Sequence, residues 1–187
     1  MVKRKGWQKS MRYAGLIKDD FTAAPGVCVS VFVQGCPHRC PGCFNPETWD
    51  FEGGQELSND FLEDIVKKLH ANNINRRLCI MGGEPLCQEN LFLTLLILKT
   101  VKEQSPNTEL AVWTGYKYEE LLKSHNAHLT QILELIDILV DGPFILEQKD
   151  TSLAMRGSRN QRIIDIKNSL KNNEIILKTE YYEKVEK

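Results

Sequence analysis

The run Gly26-Val27-Cys28-Val29-Ser30-Val31-Phe32-Val33 limits the fold more than any other stretch of the chain. Nearly every residue in it is β-branched or apolar, with no polar alternation. Such a strand is buried on both faces, as in parallel sheets covered by helices. Three shorter runs of the same kind follow at Leu78–Met81, Leu110–Trp113 and Ile138–Val140. Each ends in a glycine-bearing loop: Gly82-Gly83-Glu84-Pro85, Thr114-Gly115-Tyr116 and Asp141-Gly142-Pro143.

Helical patterns separate these strands. Ser58 is placed to cap a helix reaching about His70, in which Phe61, Leu62, Ile65, Val66 and Leu69 recur at helical spacing. A second helix is expected over Asn90–Gln104, and two short pieces over Tyr118–Lys123 and Leu129–Leu135. Met11–Ile17 is a further strand candidate, and Asn45–Glu56 is expected to be loop. Gln161–Ile164 and Ile175–Lys178 are the last two strand candidates, around a short helix at Ile166–Lys171. The alternation predicts an α/β fold with about six parallel strands. A complete eight-unit barrel typically takes about 250 residues, more than the 187 present. An incomplete (β/α) barrel is therefore expected, with an open doubly wound sheet as the other architecture that fits. In both, working residues collect at the C-terminal ends of the strands. Residues 11–180 are read as one domain, residues 1–10 as a flexible basic tail and residues 181–187 as a charged tail.

The net charge of −1 gives no bulk attraction to nucleic acid or membrane. The N-terminal residues lack the apolar core of a signal peptide, and no apolar run approaches the roughly 18 residues of a membrane span. A cytoplasmic protein with neither nucleic acid nor membrane as partner is expected. In that setting a tight cysteine cluster points to a metal or redox site before disulfides.

That cluster follows the first buried run directly. Cys36, Cys40 and Cys43 are spaced C-x3-C-x2-C. Three thiolates leave a tetrahedral site one ligand short. Zinc would need His38 or a distant cysteine as fourth ligand, and no second C-x2-C pair exists. A [4Fe–4S] cluster takes one thiolate per iron, so three would leave one iron open to a chelating ligand. The glycines of Gly82-Gly83-Glu84 would let such a ligand approach the backbone, and Glu84 adds a carboxylate for an ammonium group. An amino acid could thus bind the open iron through its amine and carboxylate. Cys28 and Cys79 lie in buried strands and are expected to be inert core thiols. Nothing in the sequence near Cys87, His125 or His128 assigns them a role. Trp49 and Phe51 are candidates for packing over the cluster or for a partner contact.

C-x3-C-x2-C followed by GGEP resembles the two-part fingerprint of the radical S-adenosylmethionine (SAM) enzymes. QGCPHRCPGCFNPETWDF (Gln34–Phe51), MGGEPL (Met81–Leu86), WTGY (Trp113–Tyr116), VDGPF (Val140–Phe144) and RGSRNQR (Arg156–Arg162) narrow the resemblance. Together they are similar to the activating proteins of anaerobic (class III) ribonucleoside-triphosphate reductase. The resemblance runs from about Met11 to Lys178. It implies that Cys36, Cys40 and Cys43 hold [4Fe–4S] and that SAM chelates the fourth iron. A flavodoxin- or ferredoxin-like protein would supply an electron. SAM would then yield a 5′-deoxyadenosyl radical that takes hydrogen from a glycine of the reductase. Gly82, Gly83 and Glu84 are implied to bind SAM, with Thr114 and Asp141 as further contacts. Arg156, Arg159 and Arg162 are candidates for a clamp on SAM's carboxylate or on the partner's glycyl loop. Two rivals remain: an activase of another glycyl radical enzyme, such as the pyruvate formate-lyase type, and a zinc-stabilised module without catalysis.

Overall fold

The computed structural model describes residues 11–182. The expected tail at residues 1–10, and residues 183–187 of the other, lie outside the described residues. One seven-stranded sheet runs through the molecule. Its strands are β1 (Arg12–Asp20), β2 (Cys28–Val33), β3 (Gln55–Glu56), β4 (Arg77–Gly82), β5 (Leu110–Trp113), β6 (Ile138–Asp141) and β7 (Arg162–Asp165). They lie in the order β3-β1-β2-β4-β5-β6-β7. Only β2, β4, β5 and β6 run parallel. β1 pairs antiparallel with β2 and β3, and β7 antiparallel with β6. The expectation of about six parallel strands is thus corrected to four, flanked by antiparallel edges. Parallel pairing needs a crossover of a dozen or more residues. Only residues 21–27 separate β1 from β2, so the chain can only turn back.

The helices are α1 (Asn59–Leu69), α2 (Leu91–Gln104), α3 (Tyr118–Leu122), α4 (Ala127–Leu135) and α5 (Ile166–Asn172). Ser58 caps α1 as expected, its side chain accepting from Phe61 N at 3.2 Å. α1 packs on α2, α2 on α4 and α4 on α5. This layer covers one face of the sheet. Val29, Val31, Val33, Leu78, Ile80, Leu110, Val112 and Leu139 meet it there, against Ile65, Leu98 and Ile132. Period-two alternation sends Cys28, Cys79, Ala111, Ile138 and Val140 to the other face. That face is covered by loop residues such as Ala23, Ala24 and Met155, not by helices. A doubly wound sheet, with helices on both faces, is therefore not what forms.

Ile175–Lys178 forms no strand. It makes one antiparallel bridge, Ile164 to Leu177, along the outer edge of β7. Tyr181 and Tyr182, expected in the C-terminal tail, are packed: Tyr181 lies against the loop-covered core, and the Tyr182 hydroxyl accepts from Ile163 N at 2.8 Å.

Candidate functional site

The loops after β2, β4, β5 and β6 meet at one end of the sheet and enclose a cleft of about 470 Å³. Cys36, Cys40 and Cys43 line it, with Gly82, Gly83, Glu84, Thr114, Gly115, Gly142 and Arg156. Its apolar walls include Phe32, Met81, Trp113 and Phe144.

The cysteine loop leaves β2 through Gly35, whose φ of +97° turns the chain. It is tied at once to the loop after β4. Gly83 N donates to Val33 O at 2.9 Å and Glu84 N to Gly35 O at 2.8 Å. A side chain at Gly83 would put Cβ 2.3 Å from Gly35 O, so only glycine allows this approach. Asn90 Nδ2 bridges Gly35 O at 3.1 Å and Glu84 O at 2.9 Å.

Glu84 itself is 1% exposed. Its carboxylate accepts from Leu86 N (2.9 Å), Thr114 Oγ1 (2.7 Å), Gly115 N (2.7 Å) and His38 Nε2 (2.9 Å). A carboxylate has about four lone-pair sites, and all are used within the protein. Glu84 thus joins three loops at one point, and its side chain does not face the cleft as a spare acceptor. His38, from inside the cysteine loop, also sits edge-on to Tyr116, with ring centroids 4.5 Å apart. Burial, then the charge of Glu84, pushes the Tyr116 hydroxyl up to about 12.

All three loop cysteines are free thiols. Burial pushes the Cys36 and Cys40 thiols up. Backbone N–H groups pull the other way: those of His38 and Arg39 on Cys36, and that of Phe144 on Cys40. Asn45 N donates to Cys43 Sγ at 3.4 Å. Cys87 is a different case. Its thiol donates to Glu84 O, and burial pushes it up to about 12, which makes it inert. Under the sheet's loop-covered face the Cys28 thiol donates to Ala24 O at 3.8 Å, and the neighbouring Cys28 sulfur, then burial, raises the Cys79 thiol.

The remaining candidates separate. The Thr114 hydroxyl lines the cleft but is already used by Glu84 and Tyr116 N. Asp141 is 1% exposed and is held by Tyr118 N at 2.7 Å and by Arg162. Arg162 also forks onto Glu119, at 2.9 and 2.7 Å. Arg159 points outward and pairs with Asp150 at 3.2 Å. Neither Asp141, Arg159 nor Arg162 lines the cleft. Arg156 does, with its guanidinium 4.0 Å from the Tyr182 ring centre and no carboxylate beside it among the described residues. Trp113 and Met155 form a wall that motif reading overlooked. Trp113 Nε1 donates to Met155 O at 2.7 Å. Strand alternation could have found Trp113, which falls on the same face as Ala111.

A family model described as a 4Fe-4S single cluster domain matches residues 23–164. The anaerobic ribonucleoside-triphosphate reductase-activating proteins of Salmonella typhimurium and Escherichia coli K12 are each 38% identical over 152 residues, 81% of this chain and 96% of theirs. The protein of the same name from enterobacteria phage T4 is 31% identical over 153 residues, 82% of this chain and 93% of its own. With the cysteine loop and the glycine loop both inside the matched residues, the chain belongs to the family of anaerobic ribonucleoside-triphosphate reductase-activating proteins.

Proposed function

We propose that the chain cleaves SAM reductively at a [4Fe–4S] cluster and so activates an anaerobic ribonucleoside-triphosphate reductase. The observation that carries this reading is the shared cleft: three free thiols of one loop open onto the space that Gly82 and Gly83 border. The donor set suits a cluster. Among the described residues no three His, Cys, Asp or Glu side chains gather as one metal ion requires. A cluster instead takes a separate thiolate at each iron, here one each from Cys36, Cys40 and Cys43.

When bound, the cluster and SAM supply the hard chemistry, a one-electron cleavage that gives a 5′-deoxyadenosyl radical able to take hydrogen from a glycine of the reductase. The protein's own residues bind and shield. In this reading, carbonyls of the Gly82-Gly83 turn accept from the SAM amine, while Glu84 holds that turn against the cysteine loop. Thr114 borders the same space. Arg156, backed by Tyr182, takes the SAM carboxylate. Phe32, Met81, Trp113 and Phe144 keep water from the reacting atoms. Asp141, Arg159 and Arg162 are left out of the binding set. The one-sided helix layer supports an incomplete barrel of the radical SAM type, with the opposite face closed by loops. The partners in this reading are the reductase and a flavodoxin- or ferredoxin-like electron donor, in the cytoplasm.

The test is direct. Protein reconstituted anaerobically with iron and sulfide, given SAM and a reductant, is mixed with the reductase. A glycyl radical doublet by electron paramagnetic resonance (EPR) is expected, with methionine released. Stoichiometric zinc and no SAM cleavage would overturn the reading. A doublet formed only on a pyruvate formate-lyase-type enzyme would replace the partner.

A further inference from the structure

The cleft opens sideways along β1. Strand alternation divides the residues of β1 between the two faces of the sheet. Tyr13 and Leu16 pack into the helix-covered core. Gly15 and Ile17 pair with Phe32 and Ser30, which fall with Cys28 on the loop-covered face. Ile17 and Phe32 both line the cleft, yet Ile17 is 47% exposed. A Cβ on Gly15 would meet nothing within 4 Å. The loop cover therefore stops short of this stretch. Asp20, further along the same face, also lines the cleft, but its carboxylate is taken by Thr22 N at 2.8 Å and Ser30 Oγ at 2.6 Å.

The backbone along this opening is bare. β3 pairs with Arg12 and Tyr13, and Ala14–Asp20 has no outer strand among the described residues. Between irregularities at Tyr13/Gly15 and Ile17/Asp20, Gly15–Ile17 keeps a regular register with β2. On such a strand, alternate N–H and C=O groups point away from the partner, and they are the template for a further strand. Free edge and open cleft thus coincide at Gly15–Ile17. An extended peptide uses both: its backbone pairs with β1 while its neighbouring residues reach the cleft. A strand added at an edge is held by main-chain hydrogen bonds, which every sequence offers. The reacting group of the proposed function is a backbone glycine, which has no side chain to grip, so recognition through the main chain suits it.

We infer that the free margin of β1 docks the segment of the reductase that carries the acceptor glycine, as an added strand, and so delivers that glycine through the open side of the cleft. This rests on the activase reading above. A second copy of the chain pairing the same edge would bar the opening instead of using it.

Hydrogen–deuterium exchange read residue by residue tests the docking. The protein is reconstituted anaerobically and given SAM without reductant. It is followed alone, with the complete reductase, and with reductase from which the segment bearing the acceptor glycine has been deleted. In the free protein the outward amides of Ala14–Asp20 exchange fast and those bonded to β2 slowly. With the complete reductase the outward amides are expected to slow by about tenfold or more, in alternation along the strand. With the shortened reductase they are expected to stay fast. Slowing that survives the deletion, or a complex without slowing at Ala14–Asp20, overturns the proposal. So does slowing in the protein alone that grows with its concentration, which gives the edge to a second copy. Reductant is then added to the sample with complete reductase. If no glycyl radical forms, the activase reading fails and the docking with it. A radical formed without slowing refutes the docking alone.

Discussion

Glu84 shows how one side chain can look like a ligand contact and serve as a joint. Its four donors come from its own loop, from Thr114-Gly115 and from His38, up to 46 residues away in sequence. Glu84→Gln keeps the shape but turns one acceptor into a donor facing a donor. Leaving a buried group unmatched typically costs about 1–3 kcal/mol. A loss of that size is expected in urea denaturation of the metal-free protein, before any cofactor enters. Equal stability of the two proteins would mean that the joint is slack. The three cysteines and the glycine turn were legible from the sequence because spacing and residue type alone define them. The use of the Glu84 carboxylate was not, since its partners are brought to it only by folding. The same holds for Asp141 and Arg162, which motif position placed at the ligand and folding placed against each other.

At the scale of elements, the buried strands were the most readable, because unbroken β-branched runs have few other uses. Their directions were harder. β1 has a weak burial pattern, and its antiparallel course follows from the short connection to β2, not from its own residues. The helix caps were local enough to read: Ser58→Ala is expected to cost about 1 kcal/mol, measured as a shift in the urea midpoint at constant slope. β6, β7 and α3 are joined by Arg162 between Asp141 and Glu119. The Arg162 hydrogen bond moves Glu119 from an ordinary 4.5 down to about 2. A carboxylate depressed in the folded state adds stability above its unfolded value, and that stability fades as pH falls through the folded one. The native protein should therefore lose part of its stability between about pH 4.5 and 2. Arg162→Ala should abolish that portion of the pH dependence, as followed by thermal melts across this range. Glu119 is half exposed, so added salt should shrink the effect.

Across the whole molecule, the cleft draws its lining from every loop at one end of the sheet and from the strap that carries Met155, Arg156 and Gly157. That strap reaches the cysteine loop: a Cβ on Gly157 would lie 2.8 Å from the Phe44 ring. Arg156 thus enters the site from more than a hundred residues beyond the cysteines. Arg156→Ala is expected to weaken SAM binding about 10–100-fold, the equivalent of one charge-assisted contact. Iron content and cluster absorbance should stay unchanged. Equal SAM affinity in an equilibrium binding measurement would remove Arg156 from the site.

The two margins of the sheet also govern how this protein meets others. At one margin β3 is only two residues long, with Gln55 and Glu56 both exposed and Arg12 paired to Glu56. At the other, Asp165 N and Ile163 O are taken by Ile176 and Lys178, and Ile163 N by Tyr182. A long bare strand edge is what templates amyloid-like growth and strand-addition complexes. The β7 margin offers none, whereas β3 pairs only with Arg12 and Tyr13 and leaves Ala14–Asp20 of β1 without an outer strand among the described residues. Strand addition is thereby confined to the β1 margin, and elsewhere an assembly partner has to dock against side chains at the cleft end or on the faces.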